Sequence, residues 1–477
     1  MRAIKLGINP LQDIKELYQF LTTYQQIASE RQQTQIVSLS LTIPLVEPLT
    51  VLEAMGQADQ PHFYMERRSQ AEAIAVIDVA IKKEIKGSDR FSQAQAFIDS
   101  CLKLITVEGN LHQPFSGPHF FCSFSFFASE DNNNLVLPDA TIFLPAIQIA
   151  RQHQECVFVA NVVIAPQGNI QELVEQTWQH LQTVRTIENA TAWKVTKVGD
   201  NGYPQFSDNN IEDFKIAVNS ALKSIRAQDF HKLVLAHSID VKLPPSFQLT
   251  SCLHHLRQRY AACCTFSLSN GDGTAFIGAT PERLLRIQEC QLTTDALAGS
   301  TPRGKTAVAD NYLSQELLNN PKELHEHRVV LEFITHKLTS IGLTPLFSSE
   351  PRLLQLSNIQ HLWTPIHAKI SPEIPALELV ESLHPTPAMA GIPREVACQQ
   401  IRRYESFERN LYAAPLGWVD YQGNSEFVVG IRCALVREYW ATLYAGAGIV
   451  AGSEPAKEAA EILLKFQVLL GALFDCG

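Results

Sequence analysis

Residues 443–465 read LYAGAGIVAGSEPAKEAAEILLK: a strand-like run, a turn with Gly446, Gly448 and Gly452, then a helical stretch carrying Glu458, Glu461 and Lys465. A glycine turn that feeds a helix N-terminus is the usual preparation for an anion. The spacing here is G-x-G-x-x-x-G, however, and no Lys-Ser or Lys-Thr closes it as a P-loop requires. Two carboxylates on the helix would also repel a phosphate. Glu458 and Glu461 share a helix face, as do Glu461 and Lys465. Two readings stand side by side. Glu461 and Lys465 form a surface pair worth about 0.3–0.5 kcal/mol, or the carboxylates serve Mg²⁺, which takes one or two of them plus substrate oxygens.

Whether this strand–turn–helix unit repeats decides the fold. Upstream lie the strand-like runs SEFVVGIRCALV (425–436), TAFIGATPERLLRI (274–287), CQLTTDALAGS (290–300) and KLVLAHSIDV (232–241). A helix is expected over 211–225, where Phe214, Val218, Leu222 and Ile225 form a buried stripe. A long helix is expected from Pro321, with Asn320 as N-cap and Glu323 completing a capping box. The first part of the chain mixes strands (35–45, 72–81, 155–166) with a helix over 170–184. The alternation is too irregular for a doubly wound sheet. It predicts an α+β fold of large antiparallel β-sheets packed in a sandwich and covered by helices. The polar cluster GDNGYPQFSDNN (199–210) is the best boundary candidate. It divides an N-terminal portion, 1–205, from a catalytic portion, 206–477.

The chain has 477 residues and a formal net charge of −10. That excludes broad attraction to nucleic acid or anionic lipid but leaves room for a local basic pocket. Its 10 cysteines are scattered without a C-x-x-C, which fits reduced thiols in the cytoplasm better than disulfides or zinc. The N-terminus lacks a signal-peptide core, and no apolar run approaches about 18 residues, so no membrane span is expected.

Three charged residues stand where core residues belong: Lys232 opens KLVLAH, Glu282 ends FIGATPE, and Arg432 lies inside FVVGIRCAL. Each could be a strand-end charge reaching solvent. Arg432 fits that least, because burial between apolar neighbours demands an anionic partner. Glu326 lies in LHEHRVV (324–330). This is not H-E-x-x-H, and positions two apart do not share a helix face, so zinc is not expected.

Taken in order, HKLVLAHS (231–238), FIGATPERLL (276–285), ALAGSTPRG (296–304), LHEHRVV, LHPTPAMAGIP (383–393), GWVDYQGNSEFVVGIRCA (417–434) and the opening stretch resemble the signature segments of the chorismate-utilising enzymes. That family includes isochorismate, salicylate, anthranilate and aminodeoxychorismate synthases. The resemblance covers about 210–477, and in this family the N-terminal portion belongs to the same compact fold. Lys at position 232 resembles the water-adding members, isochorismate synthases most of all. It implies Mg²⁺-dependent conversion of chorismate to isochorismate, by adding water at C2 and losing the C4 hydroxyl. Such chemistry needs a base and an acid on opposite faces of the ring. Lys232, its pKa lowered by partial desolvation, would be the base, and Glu282, kept protonated by an apolar setting, the acid. The resemblance assigns Glu326 and Glu461 to Mg²⁺, with Glu458 close by or acting through water. Gly299, Ser300 and Lys465 would meet the metal-bound carboxylate end of the substrate, with Gly446 and Gly448 letting the backbone pass close. Arg432 would grip the pyruvyl carboxylate with its bidentate fork. His361 of QHLWTP matches a histidine near the ring, or is a structural histidine.

Departures are informative. The family's E-W-x-E-T reads Glu458, Ala459, Ala460, Glu461, Ile462 here, losing the Trp but neither carboxylate. The stretch NNPKEL (319–324) differs from the family pattern at what is expected to be a helix start rather than the site. Tyr412 resembles the salicylate synthases, which also expel pyruvate, so salicylate synthase is the alternative. Anthranilate or aminodeoxychorismate synthase is disfavoured by Lys232, and with them any obligate glutaminase partner. A monomer or weak homodimer is expected. The product could enter quinone, siderophore or salicylate synthesis.

Overall fold

The computed structural model describes residues 9–57, 59–129, 137–187, 211–357 and 359–474. The 199–210 cluster read as a boundary lies outside the described residues. Within them, twenty strands join one hydrogen-bonded network, with eleven α-helices laid against it. Every strand pairing is antiparallel except Gln35–Ile43 with Ile105–Gly109. The fold is α+β, as the irregular alternation implied. Strands His119–Phe124, Pro415–Asp420 and Ser425–Val429 are buried throughout, so this sheet is covered on both faces.

The described residues of the N-terminal portion share this sheet with the rest. His119–Phe124 pairs with Pro415–Asp420, and Pro61–Arg67 with Cys264–Asn270. Between the two portions lies a dense ionic layer. Arg257 reaches Glu47 and Glu66 at 3.0 and 3.1 Å, and Arg286 reaches Glu72 at 2.9 Å. Such pairs fix geometry more than they add stability, because both ions lose their hydration.

Local signals explain the helices that carry the site. Asn320 caps the helix Pro321–Ser340 by accepting from the N–H groups of Lys322 and Glu323. Glu323 does not close the expected box. Its Oε2 accepts instead from the backbone N–H of Ser300 at 3.1 Å, which pins the helix start to the strand Gln291–Pro302. The helix Ile211–Arg226 buries Phe214, Val218, Leu222 and Ile225, the expected stripe. The closing helix runs Pro455–Phe474.

Candidate active site

Three strand pairings bring the site together. The strand that Lys232 opens, Lys232–Lys242, pairs along its length with Trp440–Ile449, which sets Gly446 opposite Ala236 and Gly448 opposite Val234. Thr274–Thr280 pairs with Cys433–Arg437, so Glu282 and Arg432 emerge near one edge. Gln291–Pro302 pairs with Ile359–Lys369 and shifts register at Gly299, whose φ of 80° suits glycine. Beyond that shift, Ser300 lies opposite His361.

These residues enclose a cleft of about 150 Å³ lined by Lys232, Glu282, Gly299, Ser300, Glu326, His361, Tyr412, Arg432, Gly446, Gly448, Glu461 and Lys465. Of the residues expected from sequence, Glu458 stands off the lining. It is buried on its helix, with a side-chain hydrogen bond to Ser453. A cavity of about 570 Å³ adjoins the cleft and shares Ser300, Arg432, Glu461 and Lys465 with it.

Lys232 is buried. Its Nζ lies 2.5 Å from Glu326 Oε1. Burial raises the Glu326 carboxyl, but Lys232, with Lys322 and Lys465, more than offsets this and holds it below its ordinary value. The backbone passes close here. A Cβ on Gly448 would lie 3.2 Å from Lys232 Cε and 3.4 Å from Glu326 Oε1, and one on Gly446 would lie 2.7 Å from Tyr412 Oη. Lys465 Nζ bridges Gly446 O and Glu461 Oε1, each at 2.7 Å.

Across the cleft, burial and then Asp295 push the Glu282 carboxyl up to about 8, against the pull of Arg432 and Lys232. At neutral pH it is therefore a carboxylic acid. Asp295 itself accepts from Arg283 and Trp363, each at 2.8 Å. Arg432 is buried, with a φ of 49°. Its Nη2 donates to His361 Nε2 at 3.1 Å, while Nη1 has no partner among the described residues. Burial, Arg432 and Lys465 hold His361 well below its usual pKa, so the ring is neutral and can accept at Nε2. The guanidinium thus keeps an unmatched donor and charge, as a carboxylate-binding group requires. Tyr412 stacks on Tyr444 with centroids 5.3 Å apart, and burial raises its phenol, so it stays protonated.

Glu323 and Asp295 were missed by the sequence reading. Burial and then Glu326 raise the Glu323 carboxyl, with Glu461 adding to this, so it stands beside the acidic end of the cleft though off its lining. NNPKEL is a helix start, as expected, but it also reaches the site. His327 is buried and bonded to Thr364 Oγ1 at 2.8 Å, while His325 is exposed, so the H-E-H residues do not converge. No group of three or more His, Cys, Asp or Glu side chains among the described residues is placed to hold a metal ion by itself. No described helix is long and apolar enough to cross a membrane.

Comparison with known proteins follows the same lines. The salicylate biosynthesis isochorismate synthase of Pseudomonas aeruginosa is 30% identical over 444 residues, covering 93% of this chain and 91% of that protein. The isochorismate synthase DhbC of Bacillus subtilis is 36% identical over 269 residues, covering 55% of this chain and 68% of that protein. The menaquinone-specific isochorismate synthase MenF from Escherichia coli has the same fold, with a TM-score of 0.74 at 24% identity, covering 95% of this chain and 99% of that one. A family model described as chorismate binding enzyme matches residues 21–474, nearly the whole length. The chain with this acid-and-lysine cleft therefore belongs to the chorismate-binding enzymes.

Proposed function

We propose that this protein is an isochorismate synthase, converting chorismate to isochorismate with Mg²⁺. The observation that carries the reading is the pairing of two unlike titratable groups in one cleft: buried Lys232, and Glu282 with its carboxyl pushed up to about 8. Glu282 is then the acid that protonates the departing C4 hydroxyl, and Lys232 the base that takes a proton from the water attacking C2. Glu326, 2.5 Å from the Lys232 Nζ, holds the amine in place in the cleft. Arg432 Nη1 supplies the unmatched donor for the pyruvyl carboxylate, and Tyr412 closes the wall beside it.

The acidic end fits Mg²⁺. Burial raises the Glu323 and Glu458 carboxyls, and neighbouring carboxylates add to it. The donors there are oxygens, and Mg²⁺ characteristically takes one or two carboxylates with substrate and water oxygens. Glu326 and Glu461 would hold it, with Glu458 and Glu323 behind them, and when bound it neutralises this cluster and the ring carboxylate. We read the enzyme as cytoplasmic, a monomer or weak homodimer, and active without a glutaminase partner.

Chromatography of the products tests the reading. Purified protein with chorismate and Mg²⁺ is expected to yield isochorismate, with no product when the metal is chelated. Lys232→Ala and Glu282→Ala are each expected to lose about 10²–10⁴-fold in kcat while remaining folded. Salicylate with pyruvate as the main product would move the assignment to the alternative, and turnover only with ammonia would move it to the amine-adding members.

A further inference from the structure

The Lys232–Lys242 strand has a full partner on one side only. Trp440–Ile449 pairs with it throughout, whereas the strand on the other edge, Gly391–Ile392, has two residues. The Val234 N–H still reaches Ala390 O at 2.8 Å. With no strand beyond that point, the Val234 carbonyl and the Ala236 N–H would be bare groups inside the protein, which is costly.

Two side chains complete the ladder. Arg409 Nη2 donates to Val234 O at 2.8 Å, and Glu405 Oε1 accepts from Ala236 N at 2.8 Å. They are paired with each other, Nη2 to Oε1 at 2.6 Å and Nε to Oε2 at 2.9 Å. Arg409 Nη1 also donates to Met389 O at 3.0 Å. The guanidinium lies 4.4 Å above the Phe126 ring and 5.7 Å from that of Tyr412, and the two side chains are 1% and 3% exposed. Val234, Met389 and Tyr412 line the cleft, and Lys232 lies two residues from Val234 on the same strand face.

We infer that Arg409 and Glu405 are positioning residues for the reaction proposed above, a buried ion pair that replaces absent strand residues and sets the wall bearing Lys232. An ion pair this deep is a poor source of stability, since an apolar pair of similar volume does as well. What the apolar pair could not supply is three directed bonds to the main chain, at Val234, Ala236 and Met389. Those bonds fix Lys232 relative to Glu282. Misplacement of about 1 Å in such a pair costs up to about 10²-fold in rate.

The test is a Glu405→Leu/Arg409→Met double variant, which keeps volume and removes the bonds. A melting temperature near that of wild type, with kcat down at least about tenfold and KM within about threefold, is expected. A folded double variant with wild-type kcat, or a loss carried by KM alone, overturns the inference. If the double variant does not fold, Arg409→Lys decides: faster amide exchange at Val234 and Ala236 with reduced kcat supports it, and unchanged exchange and kcat overturn it. Wild-type protein assayed alongside separates the two claims. Wild type inactive on chorismate sinks the proposed function, and the exchange measurement then still tests the brace.

Discussion

At the scale of single residues, Glu282 links stability to activity. Unfolded, its carboxyl loses a proton near 4.5; folded, it holds the proton to about 8. Between those values the folded state binds more protons, so stability falls as pH rises. Glu282→Gln removes this slope. It is expected to be more stable than wild type above pH 7, by on the order of a few kcal/mol at pH 8, and so to melt higher there, while losing turnover. Wild-type kcat/KM should fall above about pH 8 as the acid is lost. Equal melting of the two proteins across pH 5–9 would contradict the buried-acid assignment. Sequence gave warning of Glu282, Lys232 and Arg432 because each charge sat in an apolar run. It gave none of Glu323, since a carboxylate at the third helical position reads equally as a capping partner; only the arrival of Ser300 N–H from 23 residues upstream redirects it.

At the scale of elements, the 443–465 unit is where reading and structure meet most closely. Strand, turn and helix were all legible, and so were the carboxylates. The glycines were read as letting the backbone pass close, but what they pass was invisible: Lys232 and Glu326 under Gly448, and Tyr412 under Gly446. Gly452 has no such neighbour within 4 Å. The contact at Gly446 yields a double-mutant cycle. Gly446→Ala should reduce kcat/KM about tenfold or more, because its methyl meets Tyr412 Oη at 2.7 Å. In a Tyr412→Phe background, where that oxygen is gone, the same change should cost several-fold less. Additive effects would mean that the two residues do not meet.

At the scale of the whole molecule, an enzyme with net charge −10 must admit a dianion. The adjoining cavity answers this with Arg259, Lys457, Arg432 and Lys465 against Glu461, although Lys457 also pairs with exposed Glu454. Such a local field raises encounter rates and is screened over about 10 Å at 0.1 M salt. Raising ionic strength from 20 to about 300 mM should lower kcat/KM several-fold with little change in kcat. Arg259→Ala/Lys457→Ala should flatten that dependence. A salt-independent kcat/KM in wild type would count against steering. The class of fold was readable because irregular alternation excludes a parallel sheet; that both portions of the chain share one sheet was not, since register between distant strands leaves no local trace.

In the proposed reaction solvent water attacks C2 while the C4 hydroxyl leaves, with Lys232 and Glu282 on opposite sides of the ring. Turnover of chorismate in H₂¹⁸O with mass analysis of the product reports on this directly. One ¹⁸O per isochorismate, located at the C2 hydroxyl, is the expected result. Unlabelled isochorismate, its oxygen carried over from C4 within the substrate, would contradict it.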